Sequence, residues 1–271
     1  MLAFGPRIWY IIHPFPAIDQ ERLMKNVLIT GASSGIGYAL ALELAVRGCR
    51  LFLLARRKEQ LEMLVKEIDQ PSVDHQVHIC DVSDLLHIRK VSAKIQQTAH
   101  IDTLILNAGV AGGGFDPLNM ETEKIARLFQ INFFGSIAFI QEFIPQMVAN
   151  GSGIVAVTSS LAGYRGMPKS APYSSSKAAL NTFMSSLRID LLDTGIQVTV
   201  ISPGFVKTPL TDKNDFYMPF MISAQKAAKI IAEGLESRKN EIHFPKRLSW
   251  PAKIARWIPE IIWIRLMKDR R

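Results

Sequence analysis

Short apolar runs alternate with amphipathic stretches along most of this chain. Residues 26–30 form an apolar run that reads as a buried strand, and helical periodicity follows to about Arg47. The alternation repeats. Runs at 50–54, 76–80, 103–106, 153–158 and 197–201 read as strands, with helical patterns to about Ile68, to about Thr98, over 121–149, around Tyr173 and from Ser223 to about Glu236. Ser83 or Asp84 can cap the third of these helices. A last short strand is expected over 242–244, and residues 205–220, rich in Phe and Met, read as an irregular loop. Strands and helices alternating at these lengths imply an α/β fold: a doubly wound parallel sheet with helices on both faces and right-handed crossovers.

The chemistry gathers where strands would end. Gly31-Ala32-Ser33-Ser34-Gly35-Ile36-Gly37 lies between the first strand and its helix. Glycines let the backbone approach a pyrophosphate, and the helix N-terminus offers free N–H groups and a positive dipole end. The second strand ends in Ala55-Arg56-Arg57, with no acid to accept from a ribose hydroxyl. Arginine there suits a 2′-phosphate and so favours NADP(H) over NAD(H), unless the pair only caps the next helix. Tyr173 and Lys177 are four apart on a helical segment, hence on one face. A cation near the phenol favours phenolate and is expected to lower the Tyr173 pKa. Ser160 closes a strand-like run, where its hydroxyl can bond a carbonyl or alcohol. Asn132 falls in the apolar middle of the 121–149 pattern, where a buried amide is either structural or part of a polar relay. Spacing alone leaves Tyr173–Lys177 open to being an ordinary surface pair; context decides.

These residues resemble the short-chain dehydrogenase/reductase family in its single-domain form, with a Rossmann-like sheet of about seven strands. The resemblance covers about residues 25–245. The glycine loop from Thr30 to Gly37 is similar to its cofactor loop, Asn107-Ala108-Gly109 to its sheet-stabilising motif, and Asp81-Val82 to its adenine-side pair. Pro203-Gly204 resembles its nicotinamide-side turn, and the implied cofactor contacts extend to Val206 and Thr208. Asn132, Ser160, Tyr173 and Lys177 match its catalytic tetrad in order and spacing. The resemblance implies hydride transfer between a nicotinamide and a carbonyl or secondary alcohol. In it Ser160 and Tyr173 hold the substrate oxygen and Tyr173 moves its proton. Lys177 lowers the Tyr173 pKa and binds the nicotinamide ribose, while Asn132 positions a water linking Lys177 to solvent. A homodimer or homotetramer is expected.

Composition narrows the rest. The net charge is +8, but residues 242–271 hold eight Lys and Arg against two Asp and Glu, so most of the excess sits in the tail. The nearly neutral body argues against nucleic acid. Cys49 and Cys80 read as reduced core thiols, which suits the cytoplasm, and no cluster has metal-ligand spacing. Residues 1–24 read as a loose arm. In residues 246–271, apolar positions recur at helical spacing among basic ones, with Pro259 expected to kink the helix or start a second. This extension either packs on the body, a second subunit or the substrate pocket, or lies in a membrane interface through residues 248–271. The loops 112–118, 161–170 and 205–220 should line the substrate pocket. Their Phe and Met residues point to an apolar substrate, a lipophilic ketone, aldehyde or secondary alcohol, or else build the loop's own core. The alternative function is an NADP-binding regulatory or membrane-docking protein with little catalysis.

Overall fold

The computed structural model describes residues 24–112 and 114–268, so the arm expected over 1–24 lies outside the described residues apart from Met24. From β1 (Asn26–Thr30) the chain runs outward through α1 (Gly35–Val46), β2 (Arg50–Ala55) and α2 (Lys58–Ile68) to β3 (Gln76–Ile79). It returns through α3 (Leu85–Gln96), capped by the Asp84 side chain on the His87 N–H, to β4 (Thr103–Leu106) on the other side of β1. It then winds the opposite way through α4 (Thr122–Phe129), α5 (Gly135–Ala149), β5 (Gly153–Thr158), α6 (Ala171–Asp190) and β6 (Ile196–Pro203). Two short strands, β7 (Val206–Lys207) and β8 (Ile222–Ser223), pair with each other before α7 (Ala224–Glu236) and β9 (Glu241–Phe244).

The main sheet has the order β3-β2-β1-β4-β5-β6-β9, and every pairing in it is parallel. This is the expected α/β, Rossmann-like doubly wound sheet. Its strands are apolar throughout because both faces are covered. Along β1, Val27 and Ile29 face a core shared with α1 and α7, while Leu28 faces one shared with α3, α5 and α6. Phe52, Leu54, Val155 and Val157 join Leu28, as the period of two along a strand requires. Both cysteine thiols are buried.

Two segments differ from the sequence expectations, and a third, the C-terminal one, follows them. The pattern over 121–149 is not one α-helix: between α4 and α5, Gln130–Phe134 is a π-helical turn containing Asn132. Just after it the helix comes close to the loop following β3, where a Cβ on Gly135 would lie 2.4 Å from the Val82 carbonyl oxygen. The loop expected over 205–220 is partly ordered by the β7–β8 pair and by a 3-10 turn at Thr211–Lys213. The C-terminal segment forms two helices, α8 (Lys246–Ala255) and α9 (Glu260–Met267), with Pro259 opening the second. Among the described residues, no helix is long and apolar enough to cross a membrane.

Candidate active site

At the point where the winding direction reverses, the carboxyl ends of β1 and β4 to β6 surround a cavity of about 310 Å3. Crevices of this kind are where open α/β sheets bind ligands. Of the site residues expected from the sequence, all line this cavity except Gly37 and Asn132, which lie behind it.

One end is a phosphate cradle. Gly31 and Gly35 have φ of +69° and +61°, in the left-handed region, and the Gly31 N–H donates to the Leu54 carbonyl at 2.8 Å. A Cβ on Gly37 would stand 2.4 Å from the Gly31 carbonyl oxygen and 2.6 Å from Asn107 Nδ2, so α1 packs this closely only because position 37 has no side chain. Ser34, at the N-cap of α1, makes no side-chain cap, and the first turn carries no acid. The helix N-terminus therefore keeps its open N–H groups for an anion. Thr30 and Asn107 hold the surrounding strand ends together. Thr30 Oγ1 accepts from the Asn107 and Ala108 N–H groups at 3.0 and 3.1 Å, and Asn107 Oδ1 accepts from Thr158 Oγ1 at 3.3 Å.

The basic corner holds both arginines that follow the second strand. Arg57 Nη2 donates to the hydroxyls of Ser33 and Ser34, each at 2.9 Å. Arg56 instead stands 4.0 Å from Asp81 and is 64% exposed. Both arginines line the cavity, Arg56 beside Asp81 and Arg57 beside the loop serines. Burial pushes the Asp81 carboxyl up, but hydrogen bonds from Ser83 and the charge of Arg56 leave it below its ordinary value.

The other end carries the tetrad candidates. Ser160 caps the 3-10 turn Leu161–Gly163, accepting from the Ala162 N–H at 3.1 Å, and its hydroxyl donates to the Pro203 carbonyl at 3.5 Å. Tyr173 and Lys177 enter from the first turns of α6, with Lys177 Nζ 5.8 Å from the Tyr173 ring centre. Lys177 is buried, donates to the Thr158 carbonyl at 2.8 Å, and is brought by desolvation from 10.5 to about 8. The expectation of a lowered Tyr173 pKa is corrected. Desolvation raises it, and the hydrogen bond with Ser160, not the lysine charge, is what draws it down. The cost of removing a phenolate from water dominates in the ligand-free site, where the Lys177 ammonium lies 5.8 Å over the ring centre. Asn132 is fully buried and satisfied: its Oδ1 accepts from the Val110 N–H at 2.8 Å, and its Nδ2 donates to the Val110 carbonyl and Ser176 Oγ. It pins the segment after Gly109 next to Lys177; a Cβ on Gly109 would meet Asn132 Oδ1 at 3.2 Å and Lys177 Nζ at 3.4 Å.

A phosphate cradle joined to a Tyr–Lys–Ser cluster along one sheet edge fits a dinucleotide lying across the reversal point. The description "short chain dehydrogenase" belongs to the family whose pattern matches residues 25–216. The chain belongs to that family. It is accordingly an oxidoreductase that works with a nicotinamide dinucleotide on CH–OH or C=O groups. An uncharacterized oxidoreductase of Myxococcus xanthus is 38% identical over 88% of this chain and 94% of its own length. A fatty acyl-CoA reductase of Acinetobacter baylyi is 31% identical over 83% of this chain and 78% of its own. A solved short-chain dehydrogenase from Sphingobium yanoikuyae, in complex with NADPH, superposes with a TM-score of 0.77 at 26% identity, over 92% of this chain and 97% of that one.

Beside this dehydrogenase site, two of the loops expected to line a substrate pocket do meet. The Phe115 N–H donates to the Lys169 carbonyl at 2.9 Å, and Phe115, Pro117, Met167 and Pro168 line a second hollow. The third loop divides. Thr208, Pro209 and Leu210 line the main cavity, whereas Phe205 packs edge-on against Phe216 within the loop, ring centres 6.0 Å apart.

Proposed function

We propose that this dehydrogenase is NADP(H)-dependent and reduces lipophilic ketones or aldehydes, or runs the reverse oxidation of secondary alcohols, with Tyr173 as the acid–base group. The observation that carries the cofactor reading is the corner formed by Arg57, Ser33 and Ser34. A guanidinium and two hydroxyls converge beside the end of β2, and the nearby Asp81 carboxylate stands against Arg56 rather than Arg57. Such a corner offers a 2′-phosphate a charge-assisted contact that a 2′-hydroxyl does not need. The resemblance to a structure solved with NADPH supports the same choice.

The bound nicotinamide supplies or accepts the hydride. The protein's work is placement and proton transfer. Ser160 Oγ and the Tyr173 hydroxyl hold the substrate oxygen. Tyr173 gives up its proton as the carbonyl becomes an alkoxide. Burial keeps the phenol protonated, so it holds the proton that this direction consumes. The Lys177 charge favours the phenolate left behind, and at neutral pH most Lys177 side chains carry it. Asn132 fixes the Val110 backbone against this cluster and so keeps Lys177 in place. The apolar walls of the second hollow, together with the relative named a fatty acyl-CoA reductase, support a lipophilic substrate.

The test is NADPH oxidation, with NADH alongside, over ketones and aldehydes from polar to long-chain. NADPH-selective turnover that rises with chain length supports the reading. NADH-selective turnover sinks the cofactor choice, and turnover restricted to polar substrates sinks the pocket.

A further inference from the structure

The last two helices carry an apolar surface that no described residue covers. In α9 no residue is buried, and Ile261, Ile262, Ile264 and Leu266 are all exposed. In and just after α8, Trp250, Ile254 and Trp257 recur at a spacing of four and three, which places them on one helical face. Trp257 is 88% exposed. Monomeric proteins seldom present contiguous apolar surface of this kind without an occupant.

Charge selects the occupant. From residue 246 to 268 the cations are Lys246, Arg247, Lys253, Arg256, Arg265 and Lys268, and Glu260 is the one acid. That acid is itself paired with Arg165 at 2.5 Å, and among the cations Lys253 is paired with Glu241 of β9 at 2.5 Å. A second copy of the chain placed here by two-fold symmetry would set one basic rim against another. A bilayer containing anionic lipid complements both parts. Its acyl boundary accepts the tryptophans and isoleucines, and its headgroups meet the lysines and arginines. Helices of ten and eight residues are far too short to span, so the geometry is that of elements lying on the surface.

We propose that α8 and α9 together seat the enzyme on an anionic lipid surface. The seat is firmly attached to the body. Arg165 Nη1 donates to the Ala255 carbonyl at 2.7 Å and to that of Ile258, and Trp263 Nε1 donates to the Gly166 carbonyl at 3.0 Å. Arg165 and Gly166 belong to the segment between Ser160 and Tyr173, so the lipid-facing helices rest on the loop beside the candidate active site. The inference stands on the helices alone and does not depend on the cofactor or substrate proposed above.

The experiment is co-sedimentation of the full chain with sucrose-loaded vesicles of phosphatidylcholine, with and without phosphatidylserine. It is paired with the double variant Trp257→Ser, Ile261→Glu and with light scattering of both proteins. The expected result is binding roughly tenfold or more stronger with phosphatidylserine, weakened by salt, and lost in a variant that melts as the wild type does. If the variant is unstable, quenching of wild-type tryptophan fluorescence by brominated phosphatidylserine vesicles gives the same reading without substitution. Equal partition to both vesicles, absence of binding, or binding retained by a stably folded variant overturns the proposal. In the absence of binding, a dimer that the variant dissociates assigns the face to a second copy.

Discussion

Lys177 donates from Nζ to the Thr158 carbonyl at 2.8 Å, which anchors the ammonium to the end of β5, 5.8 Å from the centre of the Tyr173 ring. The charge is therefore held by one backbone oxygen in a place that excludes water. Burial acts on both members of the pair in the same sense, disfavouring the charged form of each. In the ligand-free protein this leaves a protonated phenol beside an ammonium of reduced basicity.

Lys177→Met is expected to stabilise the ligand-free protein at pH 7. The folded-state value near 8 lies below the ordinary 10.5, so below pH 8 the lysine is protonated in both states and its full burial cost is present. Between pH 8 and 10.5 the unfolded chain holds a proton that the folded chain has lost, and wild-type stability rises with pH. The cost amounts to at most about 3 kcal/mol, and losing the bond to Thr158 returns about 1 kcal/mol of it. Melting curves should show the variant ahead at pH 7 and the gap closing towards pH 10.5; a constant gap would contradict the assignment.

Tyr173→Phe removes only the hydroxyl. Turnover should fall by about a thousandfold, the usual scale for a positioned acid–base group. NADPH binding, followed by its fluorescence, should stay within about twofold, since binding energy comes mainly from the cradle at the other end. Turnover within tenfold of wild type would remove the proton-transfer role from this phenol.

Much of this site was legible because its chemistry sits at strand ends. Runs such as 26–30 and 103–106 announce themselves by continuous apolarity, and Gly31, Asn107 and Ser160 follow directly after or close upon them. Strand ends on one sheet edge must converge, so residues far apart in sequence can be assigned to one crevice. What was not legible depends on direction or desolvation. Adjacent Arg56 and Arg57 look alike in sequence, yet only Arg57 turns to the loop serines. The pKa of Tyr173 follows from how much water its surroundings exclude, which i,i+4 spacing does not carry. The π turn at Asn132 is followed by a tight approach of Gly135 to Val82, a contact between segments roughly fifty residues apart that local periodicity does not carry.

Arg57→Ala should discriminate between the two cofactors. A charge-assisted contact to phosphate contributes about 1.5–3 kcal/mol, so KM for NADPH should rise roughly ten- to a hundredfold while KM for NADH changes little. Arg56→Ala, on a side chain turned towards Asp81, should have the smaller effect. Equal losses for NADPH and NADH in Arg57→Ala would mean that the arginine only shapes the glycine loop.

Gly37→Ala tests the close approach of α1. The added methyl would enter 2.4 Å from a backbone oxygen, a distance that only movement of the helix can relieve. A stability loss of about 1–3 kcal/mol is expected, with weaker cofactor binding as the loop shifts. Calorimetry and NADPH titration would show both; an unchanged melting temperature would mean that the helix moves freely.

Arg165→Ala addresses the strap between the C-terminal helices and the catalytic loop. The side chain is 14% exposed, lies 5.1 Å over the Trp263 ring and serves the carbonyls ending α8 as well as Glu260. Its removal leaves those carbonyls to water and loosens α9, which keeps the Trp263 bond to Gly166. The expected stability loss is about 2–3 kcal/mol, with faster proteolysis within residues 246–268. If the strap also steadies the loop between Ser160 and Tyr173, kcat should fall several-fold, with the loss smaller in Arg165→Lys, which keeps the charge but not the planar fork. Faster proteolysis with unchanged kcat would separate the two functions, leaving Arg165 as an anchor for the helices alone.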